Sequence, residues 1–145
     1  MKTPYGHLSY CSNIHTGEIW SEHFVQLKQH VPAVKAQVSP EHPMGLGLRF
    51  ANQASIDLQD SAALMALQSW LTEQNFYVFT LNGFPYGGFH NTIVKDQVHA
   101  PDWTNTDRRD YTIRLAHILA TLLTENEGGI STSPLSYKYW WNTDE

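Results

Sequence analysis

The run Phe76-Tyr77-Val78-Phe79-Thr80-Leu81 is apolar or β-branched almost without a break. A strand with one wet face alternates. A near-continuous run predicts a strand covered on both faces, as in a parallel sheet. Parallel neighbours cannot be joined by a tight hairpin; they need long crossovers, usually helical. The chain supplies them. From Ser21, which can serve as an N-cap, Phe24, Leu27, Val31, Val34 and Val38 fall on one helical stripe. Pro32 is expected to kink or divide that helix, and residues 39–43 to end it. Asp57 or Asp60 can cap a second helix that buries Ala63, Leu64, Leu67, Trp70 and Leu71. A third begins at Asp107. Its stripe is Tyr111, Leu115, Ile118, Leu119 and Leu122, and Gly128-Gly129 is expected to stop it.

Short strands over 7–13, 45–50 and 130–133 complete the order β-α-β-α-β-α-β. That order predicts an α/β fold with a parallel sheet and right-handed crossovers. The stretch 82–106 has no period and far exceeds an ordinary loop, so it is expected to carry function. Aromatic residues make up 12% of the chain and crowd into such loops. Aromatic loops pack over a pocket or a partner, or simply anchor themselves.

Charge narrows the function classes. The formal net charge is −5, and no Lys/Arg cluster exceeds a pair, which argues against nucleic-acid binding. The single cysteine, Cys11, excludes an internal disulfide and a cysteine-based zinc site. On its strand it is expected to be a small core residue. No run approaches the ~18 apolar residues of a membrane span, and residues 1–10 lack a signal-peptide core. A cytoplasmic location without membrane insertion is the expectation.

Two architectures suit the alternation: a small open sheet of four strands, or half of a closed barrel. An open Rossmann-like sheet that binds a nucleotide normally shows a Gly-rich phosphate turn after its first strand. Here that turn reads Asn13-Ile14-His15-Thr16-Gly17. In a barrel, polar residues gather at the strand ends and long loops build the site. Asn13 and His15 follow the first strand, Arg49 and Asn52 the second, Asn82 the third, Ser131 and Thr132 the fourth. At 145 residues the chain is well short of the ~250 of a complete barrel. The expected fold is therefore the first half of a (β/α)8 TIM barrel, as one domain over 1–145.

The run Asn82-Gly83-Phe84-Pro85-Tyr86-Gly87-Gly88-Phe89-His90, with Val94-Lys95, Pro101-Asp102-Trp103, Arg109 and Tyr111-Thr112, resembles metabolite-traffic proteins of the Ebo type. So do Tyr10-Cys11-Ser12-Asn13-Ile14-His15 with Gly17-Glu18 and Trp20, Gly47-Leu48-Arg49, and Ile130 to Lys138. The resemblance implies a xylose-isomerase-like barrel related to sugar-phosphate isomerases and epimerases, in a setting of metabolite transport. The match covers the first half of the family and ends after the fourth strand. In the related isomerases the metal ligands come mostly from later strands, so no metal site is carried over. A divalent metal belongs only to the full-length barrel.

The candidate catalytic residues are His15 and His90, whose imidazoles titrate near neutrality. Asn13, Arg49, Asn82, Phe84, Tyr86, Lys95 and Thr132 are the candidate ligand contacts. Phe84 and Tyr86 can pack on the apolar face of a sugar ring, Asn82 and His90 can supply polar contacts, and Arg49 and Lys95 can hold an anion. The blander reading makes His15 and Asn13 turn formers, Arg49 half of an internal ion pair, and the loop a self-packed lid. His15, His90 and His99 show no metal-ligand spacing with Asp57 or Asp102. Asp107, Arg108 and Arg109 read as cap and surface charges, with Arg109 able to brace the long loop. The expected partners are a small polar or sugar-like metabolite, and a missing C-terminal half or another copy to cover two open sheet edges. The competing readings are a non-catalytic binding or carrier module and a structural α/β fragment.

Overall fold

A computed structural model of the chain describes residues 1–88 and 95–141. It opens with an antiparallel hairpin, β1 (Lys2–Thr3) and β2 (Gly6–His7), turned at Gly6 with φ +132°. Four parallel strands follow in sequential order in one sheet: β3 (Ser9–Cys11), β4 (Met44–Arg49), β5 (Phe76–Asn82) and β6 (Gly129–Ser131). Helices α1 (Trp20–Val38), α2 (Asn52–Asp57), α3 (Ser61–Glu73) and α4 (Thr106–Leu122) lie between them. The α/β alternation and parallel sheet stand as expected. The hairpin and α2 are additions that the period gave no sign of.

Two of the helix starts have a local cause. Asn105 and Asp60 cap α4 and α3 by accepting from the amides of Asp107 and Ala63. α1 begins two residues earlier than Ser21 as its N-cap predicts. Its cap comes from 37 residues away: the Trp20 amide donates to Asp57 Oδ2 at 2.9 Å. Pro32 lies inside α1 without dividing it. Lys35 Nζ closes the far end by donating to the carbonyls of Ser39 and Pro40. α4 stops at Leu122, before the glycine pair expected to end it, and Gly129 instead opens β6.

The helices supply one core. Leu27 and Val31 of α1, Leu67 and Leu71 of α3, and Leu115, Ile118 and Leu122 of α4 pack on Met44, Leu46, Leu48, Val78 and Leu81. The Tyr111–Leu122 stripe is buried throughout, as its spacing predicts. Val38 of the α1 stripe is exposed instead.

The other sheet face departs from expectation. Ser9, Cys11, Gly129 and Ser131 are exposed, and Tyr77, Phe79, Thr80 and Asn82 only half-buried. The run 76–81 is thus covered fully on one side. Its opposite side meets the hairpin, where His7 packs on Tyr77 and Phe79 at centroid distances of 5.6 and 5.0 Å. Cys11 is exposed rather than a core residue. A register shift lets Gly47 pair with Thr80 after Leu46 has paired with Val78, so Phe79 is an extra residue in β5. Among the described residues no helix is long and apolar enough to cross a membrane.

Candidate functional site

The register brings three polar residues to one rung at the C-terminal end of the sheet. Arg49 pairs with Asn82, and Asn82 with Ser131. Asn82 Oδ1 accepts from the Ser131 hydroxyl at 3.0 Å and from the Phe84 amide at 3.1 Å. The side chain is thereby fixed by both the strand beside it and the loop above it.

Arg49 is fully buried, and a buried guanidinium is costly unless it is paired. Its Nη1 lies 3.3 Å from Glu18 Oε1, and its Nη2 donates to the Gly87 carbonyl at 2.5 Å. The Glu18 side chain is 43% exposed, so the pair presents a carboxylate to solvent over a hidden cation. Gly17 puts Glu18 there. It has φ +120°, and a Cβ on it would sit 2.6 Å from the His23 backbone nitrogen. The Glu18 carbonyl accepts from the Ala54 amide and holds the turn against α2.

A second buried arginine, Arg108, clamps the loop. Nε donates to the Pro101 carbonyl at 2.7 Å, and Nη1 to the carbonyls of Gly83 and Phe84 at 2.8 and 3.1 Å. The guanidinium also stacks over Tyr86 and Tyr111. Burial pushes its pKa down. The Tyr111 hydroxyl donates to the Phe50 carbonyl at 2.5 Å, and burial pushes its pKa up to about 12. Arg109 is exposed and paired with its neighbour Asp110. The brace expected of Arg109 belongs to Arg108.

A third cluster ties the loop to the segment after β6. Trp103 Nε1 donates to Thr132 Oγ1 and the Ser133 carbonyl at 3.0 and 3.2 Å. Hydroxyls of Ser136 and Thr104 hold the Asp102 carboxyl below its usual range. His99 stacks on Tyr137 at 5.1 Å and contacts Phe84.

The candidate residues therefore divide. Arg49 and Asn82 share the polar rung. Phe84 is half-buried against His99, Tyr86 is half-buried edge-on to Tyr111, and Thr132 accepts from Trp103. His15 is buried, its Nε2 3.0 Å from the Tyr10 hydroxyl and its ring stacked on His30 at 5.3 Å. Tyr10 packs on the helix core, so this cluster lies on the helical side of the sheet. Asn13 is half-buried in the 3-10 turn Ser12–Ile14, and Lys95 is exposed in the turn Lys95–His99. His90 lies outside the described residues. Glu18 and Arg108 were the functional side chains missed. Arg108 had a signal, since it sits three residues before Tyr111 on the buried stripe.

Among the described residues no three His, Cys, Asp or Glu side chains converge on a common point. A cavity of about 980 Å³ lies at the opposite end of the strands, between Met1, Pro40, Phe76 and Glu125. We place the candidate site at the polar rung instead, because there a buried cation, a carboxylate and an amide converge. Comparison with family models, curated proteins and solved structures finds no match to this chain.

Proposed function

We propose that this chain is the N-terminal half of a xylose-isomerase-like (β/α)8 barrel of the metabolite-traffic type. It holds a small polar, sugar-like metabolite at the C-terminal ends of its strands. The observation that carries the reading is the rung Arg49–Asn82–Ser131, with Glu18 paired to Arg49, on a sheet face that no described helix covers. Four sequential parallel strands with polar ends are what half a barrel presents. The Asn82–His90 motif resemblance supports the family.

The geometry also favours a neutral ligand over an anion. Glu18 already neutralises Arg49, so the site offers hydroxyl-binding groups rather than a free cation. Glu18 supplies a carboxylate of the kind that isomerase or epimerase chemistry uses for proton transfer. A partner, either the C-terminal half or another copy, completes the site from across the open face. The cytoplasm is the proposed location.

The test is thermal unfolding with increasing xylose. A ligand that binds only the folded state raises Tm as its concentration passes Kd. Wild type is expected to respond and Asn82→Ala to respond little. A flat wild-type profile across pentoses and hexoses, or an undiminished response in Asn82→Ala, defeats the reading.

A further inference from the structure

We propose that a second copy of this chain covers the open sheet face, the two molecules closing an eight-stranded parallel barrel about a two-fold axis. The inference rests on the half-barrel reading above and adds the identity of the other half.

The first argument is direction and number. Strands β3 to β6 run parallel in sequential order, and among the described residues neither β3 nor β6 has a second strand partner. Such bare edges recruit another strand. A two-fold axis along the strands leaves their direction unchanged. It sets β6 of each copy beside β3 of the other, in parallel, at two equivalent seams. The total is eight, the number at which a parallel barrel is just filled by its own side chains.

The second argument is the face itself. Ser9, Gly45, Gly47 and Gly129 alternate with Tyr77 and Phe79 across the strands. A tapering barrel interior uses such a mixture of small and large residues. Met1, Leu8 and His7 cover this face at Gly45, Tyr77 and Phe79, while Ser9, Cys11, Gly129 and Ser131 toward its edges stay exposed, and an exposed parallel sheet face is rare.

The third argument is that the seams complement each other. Beside β3, α1 leaves an open groove of about 510 Å³ lined by Tyr10, Ile14, His15, His30, Ala33 and Val34. Beyond β6, at the same end of the sheet, Leu135, Tyr139 and Trp141 are 73%, 71% and 55% exposed. In a closed barrel the segment after each strand packs outside the gap to the next strand. The aromatic segment of one copy therefore falls in the groove of the other. Each seam joins unlike surfaces, and the two-fold closes the set after two copies. One copy carries half a site; two copies face two Arg49–Asn82–Ser131 rungs and two Glu18 carboxylates across the axis.

The experiment is the solution mass of the 145-residue chain by light scattering across a dilution series. Two surface variants accompany it: Val34→Glu in the groove and Trp141→Ser in the aromatic segment. Far-ultraviolet circular dichroism checks that both keep their helices. Wild type is expected at two chains of 16.5 kDa, and each variant at one chain or at a markedly weakened dimer. A wild type that stays a single chain at every concentration overturns the proposal. So does any assembly other than two chains, or a dimer that neither variant weakens. The xylose titration on the same samples separates the two readings. A single chain that still responds to xylose removes the second copy and leaves the ligand reading standing; a dimer that ignores every sugar does the reverse.

Discussion

The two faces of the sheet are built by different rules. On the helical face Met44, Leu46, Leu48, Val78 and Leu81 are buried almost completely against three helices. Across the same strands, one residue out of phase, stand Ser9, Thr80, Asn82 and Ser131, small or polar and partly open, with Gly47 buried between them. The alternation shows a division of labour. One face pays the entropy of folding with buried hydrocarbon, which leaves the other free to keep polar groups. Substitutions on the two faces should therefore separate stability from binding.

The largest expected effect is on the helical face. Leu48→Ala removes a fully buried side chain and should cost about 3 kcal/mol or more, read as a lowered urea midpoint. At temperatures where the variant is still folded, its response to xylose should match wild type. A loss of the sugar response without a loss of stability would break the division.

Next is the pH dependence of the same side. His23 is buried beside Phe50, its Nδ1–H donates to the Thr16 carbonyl, and burial lowers its pKa to about 4 from 6.5. The folded-state pKa is depressed. As the pH falls, the unfolded chain takes up the proton first. The stabilisation is therefore complete above pH 6.5 and is lost as the pH falls through about 4. The full loss is on the order of 3 kcal/mol. Urea midpoints at pH 7 and near pH 4 should differ more in wild type than in His23→Gln. Equal differences would move the acid sensitivity to carboxylates elsewhere.

What the sequence disclosed follows the same division. The α4 stripe was legible because Tyr111, Leu115, Ile118, Leu119 and Leu122 repeat a local period, and period reports burial. Arg108 shares that stripe but was read as a surface charge. Its burial depends on three carbonyls of a loop that no local rule brings to it. Glu18 failed for the same reason, since its partner Arg49 is 31 residues away. The run 76–81 misled in the other direction. Tyr77 and Phe79 gave it a doubly buried composition, yet they serve the open face and lean on a histidine of the hairpin. Asn82 was legible as a strand-end amide. That it shares a rung with Arg49 and Ser131 needed the register, which the bulge at Phe79 resets.

Smaller effects belong to the open face. Glu18→Gln removes the described carboxylate partner of the buried Arg49 guanidinium. Because Glu18 is 43% exposed, water offsets part of the loss, and about 1–2 kcal/mol is expected. If Glu18 transfers a proton to substrate, any isomerase turnover should vanish in Glu18→Gln while xylose still raises Tm. Turnover that persists would remove Glu18 from the chemistry and leave it a clamp for Arg49.

Ser131→Ala should have the smallest effect on stability and the clearest effect on function. The hydroxyl is exposed on an edge strand and makes one described hydrogen bond, to Asn82 Oδ1 at 3.0 Å. Water can replace that donor, so the cost in unfolding free energy should be about 0.5 kcal/mol or less. The Phe84 amide still holds the same oxygen at 3.1 Å, which keeps the loop in place. The rung nevertheless loses one of its three side chains at the point where a sugar hydroxyl would insert. The xylose-dependent rise in Tm should shrink several-fold while the sugar-free Tm hardly moves. This is the mirror image of Leu48→Ala. If Ser131→Ala instead lowered stability by as much as a core truncation, the open face would be part of the structural core and the division between the two faces would fail.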